Sequence, residues 1–182
     1  MTSDMIASRS LSRVHANAAV AAALAITAIA VATLAGAWFF QLVLDIRPCP
    51  LCLEQRYAYY LVVPLGLLIA FAAGRGAPRA ALAAGFAIVA LAMLWNAGLA
   101  TYHSGVEWGF WLGPTDCSGP VADFGSAGNL LQRLDSVKVI RCDEVQWRFL
   151  GLSLAGYNVL ISLSIAVLAG WAAIRCGRRS QS

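Results

Sequence analysis

Four long stretches without an acidic or basic side chain divide the sequence: residues 16–44, 57–74, 80–102 and 149–174. They run for 29, 18, 23 and 26 residues, and at about 1.5 Å of rise per helical residue each reaches across a hydrocarbon core of roughly 30 Å. Lipid offers backbone N–H and C=O groups no partner, so apolar runs of this length are read as helices. The pattern predicts an all-α fold, an integral membrane four-helix bundle forming a single domain over 1–182. Its spans are expected at about 18–44, 57–74, 80–102 and 149–174, with polar loops at 45–56 and 103–148. The first window follows Arg9 and Arg13 and holds the small residues Ala35, Gly36 and Ala37, features shared with secretory signal peptides. It is too long for their apolar segment and is read as a retained helix.

Composition narrows the class further. The chain is 60% hydrophobic, with 13 Lys and Arg and 9 Asp and Glu among 182 residues, too little polar surface to cover a water-soluble globule. A soluble enzyme domain, a nucleic-acid reader and a disordered tail are excluded. The short segments beside the helix ends at the two tails and the 74–79 turn carry Arg9, Arg13, Arg75, Arg79, Arg175, Arg178 and Arg179 against the single acid Asp4. The positive-inside rule then places both termini in the cytoplasm and both loops outside. Twelve of the 18 aromatic residues gather toward the loop ends of the spans, as an interfacial belt does, and some of them can also line a pocket for a ring-shaped ligand. Within the long loop, residues 121–137 have loose helical spacing suited to lying along the membrane surface. No Asp, Glu, Lys or Arg falls inside a span, where Asn96 and Asn158 are the clearest polar residues. That argues against a pump or coupled transporter, which needs buried ionisable groups along its path.

Attention moves to the cysteines. Cys49, Cys52, Cys117 and Cys142 all fall in the two outward loops, and Cys176 stands alone in the cytoplasmic tail. An even set facing an oxidising compartment reads as two disulfides. Cys49-Pro50-Leu51-Cys52 is the sharpest local signal, since two intervening residues favour an exchangeable bond over a relaxed staple. A helix start at Cys52 and the guanidinium of Arg56 four residues on would both favour a thiolate there. The spacing of the four cysteines does not match the usual paired zinc patterns, and no metal is expected. A purely structural pair of disulfides remains open.

Two exchangeable pairs on one membrane face suggest a relay that ends on a lipid-soluble two-electron acceptor. A quinone (ubiquinone or menaquinone) meets that requirement, with Arg56 placed to hydrogen-bond a quinone oxygen and His103 as a further polar contact.

The order of these elements resembles the DsbB family of bacterial disulfide bond formation proteins. The resemblance covers roughly Trp38 to Asn158: Cys49-Pro50-Leu51-Cys52 followed by Glu54-Gln55-Arg56, His103 before the second loop, Cys117 after Gly113-Pro114, and Cys142-Asp143-Glu144 leading to Trp147 and Arg148. It implies a quinone-dependent thiol oxidase of the bacterial inner membrane that reoxidises a periplasmic DsbA-like dithiol protein. Cys117 would take the attack of that partner, with Cys142 as its disulfide mate. Cys49 and Cys52 would pass the electrons on, and Arg56 and His103 would face the quinone. A vitamin-K-epoxide-reductase-like enzyme would place its quinone-facing pair after the loop cysteines, the reverse of the order here. An oxidase with one dedicated client, and a structural module merely stapled by disulfides, remain as alternatives.

Overall fold

The computed structural model describes residues 2–114 and 142–178, with side chains from residue 16 onward. Among these residues are four helices, α1 (Thr2–Leu42), α2 (Pro50–Gly74), α3 (Arg79–Glu107) and α4 (Leu154–Arg178). Each contains a span long and apolar enough to cross a membrane, which in α1 is Ala16–Leu42. A short antiparallel hairpin, β1 (Arg148–Phe149) and β2 (Leu152–Ser153), leads into α4. The surface segment expected at 121–137 lies outside the described residues.

Helix ends depart from the uncharged windows for local reasons. α2 begins at Pro50 rather than Tyr57, because Pro at the first helical position suits a fixed φ and lacks an N–H that would go unpaired, and the Cys49 sulfur caps the turn by accepting from Cys52 N. Glu54 and Arg56 are therefore helical: a charge marks the membrane edge, not the end of the hydrogen-bond ladder. α3 likewise runs on past Tyr102 to Glu107. α4 starts only at Leu154 because Leu150 and Gly151 both take positive φ, 49° and 83°, and close the hairpin. Ser153 then caps α4, its hydroxyl accepting from Gly156 N.

The helices form a ring in which α1 packs on α2, α2 on α3, α3 on α4 and α4 back on α1. Consecutive helices are antiparallel. Arg56 of α2 reaches Gln41 of α1 while Gly66 meets Thr27 lower down, and Gln55 meets His103 of α3 while Ile69 meets Gly85. The start of α1 and the end of α4 consequently share one end of the bundle, around a cavity of about 360 Å³ lined by Ala16, Ala19, Ala172, Arg175 and Cys176.

The apolar core of the bundle is built mainly from small and aliphatic groups such as Ala19, Ala22, Ala23, Ile26, Ala30, Met93, Ile165 and Ala169, with Phe86 packed among them. Small residues let helix backbones approach closely where no hydrophobic drive separates lipid from protein. Gly66 shows the limit, since a Cβ there would sit 2.2 Å from Thr27 Oγ1. The outer surface is apolar as well, with Leu68, Phe71, Leu91, Trp95 and Val167 all more than half exposed. Gln55, Asn96, His103 and Ser162 are buried inside. Apolar flanks around a polar interior are what a lipid-embedded bundle requires.

Candidate redox site at the cysteine end of the bundle

At the end of the bundle opposite the end of α4, Cys49 precedes the first turn of α2 and Cys52 lies one turn on. Both thiols are free, with their sulfurs 2.7 Å apart. The i to i+3 spacing on a helix start produces this approach, and the Cys52 N–H pointing at Cys49 Sγ, 3.2 Å away, holds it. Cys49 is buried, and its hydrogen bond to Cys52 together with that burial raises its thiol above the ordinary value.

His103, from the last turns of α3, closes on the pair with Nε2 3.6 Å from Cys49 Sγ. Its Nδ1 is 2.9 Å from Gln55 Nε2, and its Nε2 is 4.0 Å from the carboxylate of Glu107 one turn along α3. Glu107 is tied in turn to the hydroxyl of Ser153 at the cap of α4. Cys142 is disulfide-bonded, and it packs with Cys49, Leu51 and Val106 in one buried cluster. A cysteine of the long loop thereby lies against the Cys-x-x-Cys pair.

A cavity of about 670 Å³ opens beside the pair. Cys52, Gln55, Arg56, His103 and Glu107 sit along it, and its apolar wall comes from α1 through residues such as Ile29 and Ala37. Phe40, Trp147, Phe149 and Tyr157 bring aromatic faces to the same space, with Phe40 and Trp147 centroids 5.0 Å apart and Trp147 stacked on Phe149 at 5.9 Å. Arg56 is buried along its stem. It donates to Gln41 Oε1 at 2.7 Å and to Ala37 O at 3.4 Å, and lies 5.4 Å from the Trp38 ring centroid. Two bonds to α1 leave part of a five-donor guanidinium for another acceptor.

The Disulfide bond formation protein DsbB family model matches residues 19–172. The chain belongs to the DsbB family. Curated relatives named Disulfide bond formation protein B agree: that of Polaromonas sp. is 30% identical over 76% of this chain and 80% of its own length. The Azoarcus sp. protein is 30% identical over 86% and 92%, and that of Xanthomonas campestris pv. campestris 30% over 78% and 83%. No solved structure matches the chain.

For this DsbB-family protein the sequence-predicted site residues divide in two. Cys49, Cys52, Arg56, His103 and Cys142 are brought to one end of the bundle, while Cys117 lies outside the described residues. Cys176 is at the opposite end. Gln55, Tyr59 and Glu107 also belong to the site, without standing out as site residues in the sequence. Gln55 sits in a charged run that looks like solvated loop, Tyr59 looks like an interfacial aromatic, and Glu107 looks like one more loop acid. Their signal was helical: Gln55 and Tyr59 stand three and seven residues after Cys52, and Glu107 four after His103, on shared faces. Cys49, Cys52 and His103 also present ligand atoms all within 4.8 Å of one another, a soft set that spacing among the cysteines alone did not reveal.

Proposed function

We propose that the protein is a thiol:quinone oxidoreductase that reoxidises a soluble DsbA-like dithiol protein. The observation that carries this reading is the packing of disulfide-bonded Cys142 against the free Cys49–Cys52 pair, at the mouth of a cavity with apolar walls and polar groups at one end. Thiol–disulfide exchange needs one sulfur within reach of another, and the shared cluster supplies that neighbour. In the forward direction the partner's dithiol reduces the Cys117–Cys142 bond and leaves as a disulfide. The loop thiols next reduce a Cys49–Cys52 disulfide, which gives the dithiol form described here. Closing the Cys49–Cys52 bond again releases two electrons and two protons.

A quinone accepts two electrons and two protons when bound, and a cavity of this size and polarity suits its ring and the start of its tail. Arg56 would hold a quinone oxygen through the donors it does not spend on α1, and His103 would flank the same end. The apolar wall from α1 keeps water from the sulfurs. The arginines at the opposite end of the bundle support an orientation in which that end, with both tails, faces the cytoplasm of a bacterium and the cysteines face the periplasm.

Mixing the detergent-purified protein with a reduced DsbA-like partner and ubiquinone tests this. Rapid loss of quinone absorbance that Cys49→Ala abolishes is expected. Absence of loss with ubiquinone and with menaquinone alike would overturn the oxidase. A metal-holding reading has the Cys49, Cys52 and His103 cluster in its favour, and it predicts one zinc per purified chain that is lost in His103→Ala.

A further inference from the structure

The polar groups buried behind the cysteine pair form one directed chain. Asn96 Nδ2 donates to Ser162 Oγ at 3.0 Å, and Ser162 in turn donates to Asn158 Oδ1 at 3.4 Å. Tyr59 donates to the same Asn158 oxygen at 2.5 Å. With its oxygen so occupied, Asn158 turns its amide N–H outward and donates to Gln55 Oε1 at 2.5 Å. Gln55 is thereby fixed in turn: its oxygen faces Asn158, and its N–H faces His103 Nδ1 at 2.9 Å. A ring nitrogen that meets an N–H donor must be the unprotonated one, so a neutral imidazole carries its proton on the other.

We propose that Gln55 and Asn158 are positioning residues that hold His103 as the Nε2–H tautomer, so that the imidazole donates to the Cys49 sulfur instead of removing its proton.

Two observations around the ring agree. Nε2 is the nitrogen that faces Cys49 Sγ, at 3.6 Å. Cys49 Sγ already receives the Cys52 N–H at 3.2 Å, so a second N–H leaves its own proton to point at Cys52, 2.7 Å away. Among the described residues, the other charged and titratable groups at the ring and along its cavity are Glu107, 4.0 Å from Nε2, Cys52, Arg56, Arg47, Glu144 and the phenols of Tyr59 and Tyr157. The chain draws on α2, α3 and α4, and every member but Asn158 is buried, which shields it from exchange with water.

The functional consequence rests on the oxidase reading. An imidazole held this way has no free lone pair for the Cys49 proton, so that proton must leave the pair by another route when the disulfide closes. The tautomer itself needs neither quinone nor partner to be observed.

The test is ¹⁵N NMR of the histidine rings in the full-length protein in micelles, in a His15→Gln background so that His103 alone reports. At neutral pH a protonated Nε2 and an unprotonated Nδ1 are expected. Asn158→Asp puts an acceptor where Gln55 now finds a donor, turns the Gln55 amide over, and should move the proton to Nδ1. Gln55→Glu, which cannot donate to Nδ1, should move it too and covers the case in which the first variant fails to fold. A wild-type ring protonated at Nδ1, or folded variants that keep the proton on Nε2, would overturn the proposal. The expected tautomer in a protein without quinone reduction would leave the proposal standing and remove the oxidase reading instead.

Discussion

The two ends of the bundle are built from the same four helices and each contains a cysteine beside a cavity, yet they differ in everything that makes a thiol useful. At one end Cys49 and Cys52 have each other, an imidazole at 3.6 Å, and a chain of buried side chains extending through Gln55 and Asn158 to Asn96. At the other, Cys176 shares its cavity with alanines, Trp171, Arg79 and Arg175, and with no second thiol or imidazole. The first half is specified by hydrogen bonds, whose partners must be the right atoms. The second is specified by shape, which tolerates exchange of one small group for another. Membrane bundles can be stable on shape alone, so polar groups retained in one half mark where chemistry is placed.

The comparison breaks most visibly at the sulfurs. Cys52→Ser should lower quinone reduction by about 10³-fold or more, since a hydroxyl neither exchanges with a disulfide nor ionises at neutral pH. Assaying with reduced partner and ubiquinone measures it, and a variant with a tenth of wild-type rate would show that Cys52 is not in the path.

Shape is tested where α1 crosses α2. A Cβ at Gly66 would lie 2.2 Å from Thr27 Oγ1 and 3.5 Å from the Ala23 carbonyl oxygen, so Gly66→Leu must push the helices apart. Overpacking of this kind costs about 1–3 kcal/mol, to be read as a lowered midpoint of thermal unfolding in detergent. Gly98, with open space where its Cβ would be, is the matched control, and Gly98→Ala should leave the midpoint unchanged or raise it slightly.

How much of this could be seen in the sequence follows the same division. The four helices are legible because lipid demands apolar runs of a fixed length, and the cysteine end is legible because two thiols three residues apart are a chemical statement in themselves. Asn96 and Asn158 stand out as polar residues within spans, but their purpose does not. That depends on Tyr59, Ser162 and Gln55 arriving from other helices, a matter of rotation about each axis that uncharged windows leave open. Gln55 and Glu107 were hidden by their charged neighbours, because helix α2 extends beyond the apolar run at its start and α3 beyond it at its end. The hairpin before α4 was hidden too, since a leucine at φ 49° is not what its side chain prefers.

Arg56 is where the two kinds of specification meet. Its stem is buried among apolar groups, and its planar head bonds Gln41 and the Ala37 carbonyl while facing Trp38. Lysine keeps the charge and loses the fork. Arg56→Lys should therefore raise the KM for quinone about 10-fold, in line with loss of one charge-assisted bond, and leave exchange with the dithiol partner within twofold. Equal losses in both half-reactions would mean that Arg56 supports the fold and not the acceptor.

The smallest effect is expected at the other end. Cys176 is half-buried, free and packed against the edge of the alanine core. No second thiol or imidazole accompanies it among the residues of its cavity, so no exchange partner lies beside it. Cys176→Ser trades one small group for another in a half held by shape, and it should change unfolding stability by less than about 0.5 kcal/mol and leave the oxidase rate at wild type. The useful measurement is a comparison of alkylation rates in one reduced sample. Attached reagent should map first to the Cys49–Cys52 pair and slowly to Cys176, which has arginines but no second thiol or imidazole in its cavity. If Cys176 reacts as fast as Cys52, the buried chain behind the pair has no part in activating it, and the contrast between the two ends reduces to the spacing of two cysteines.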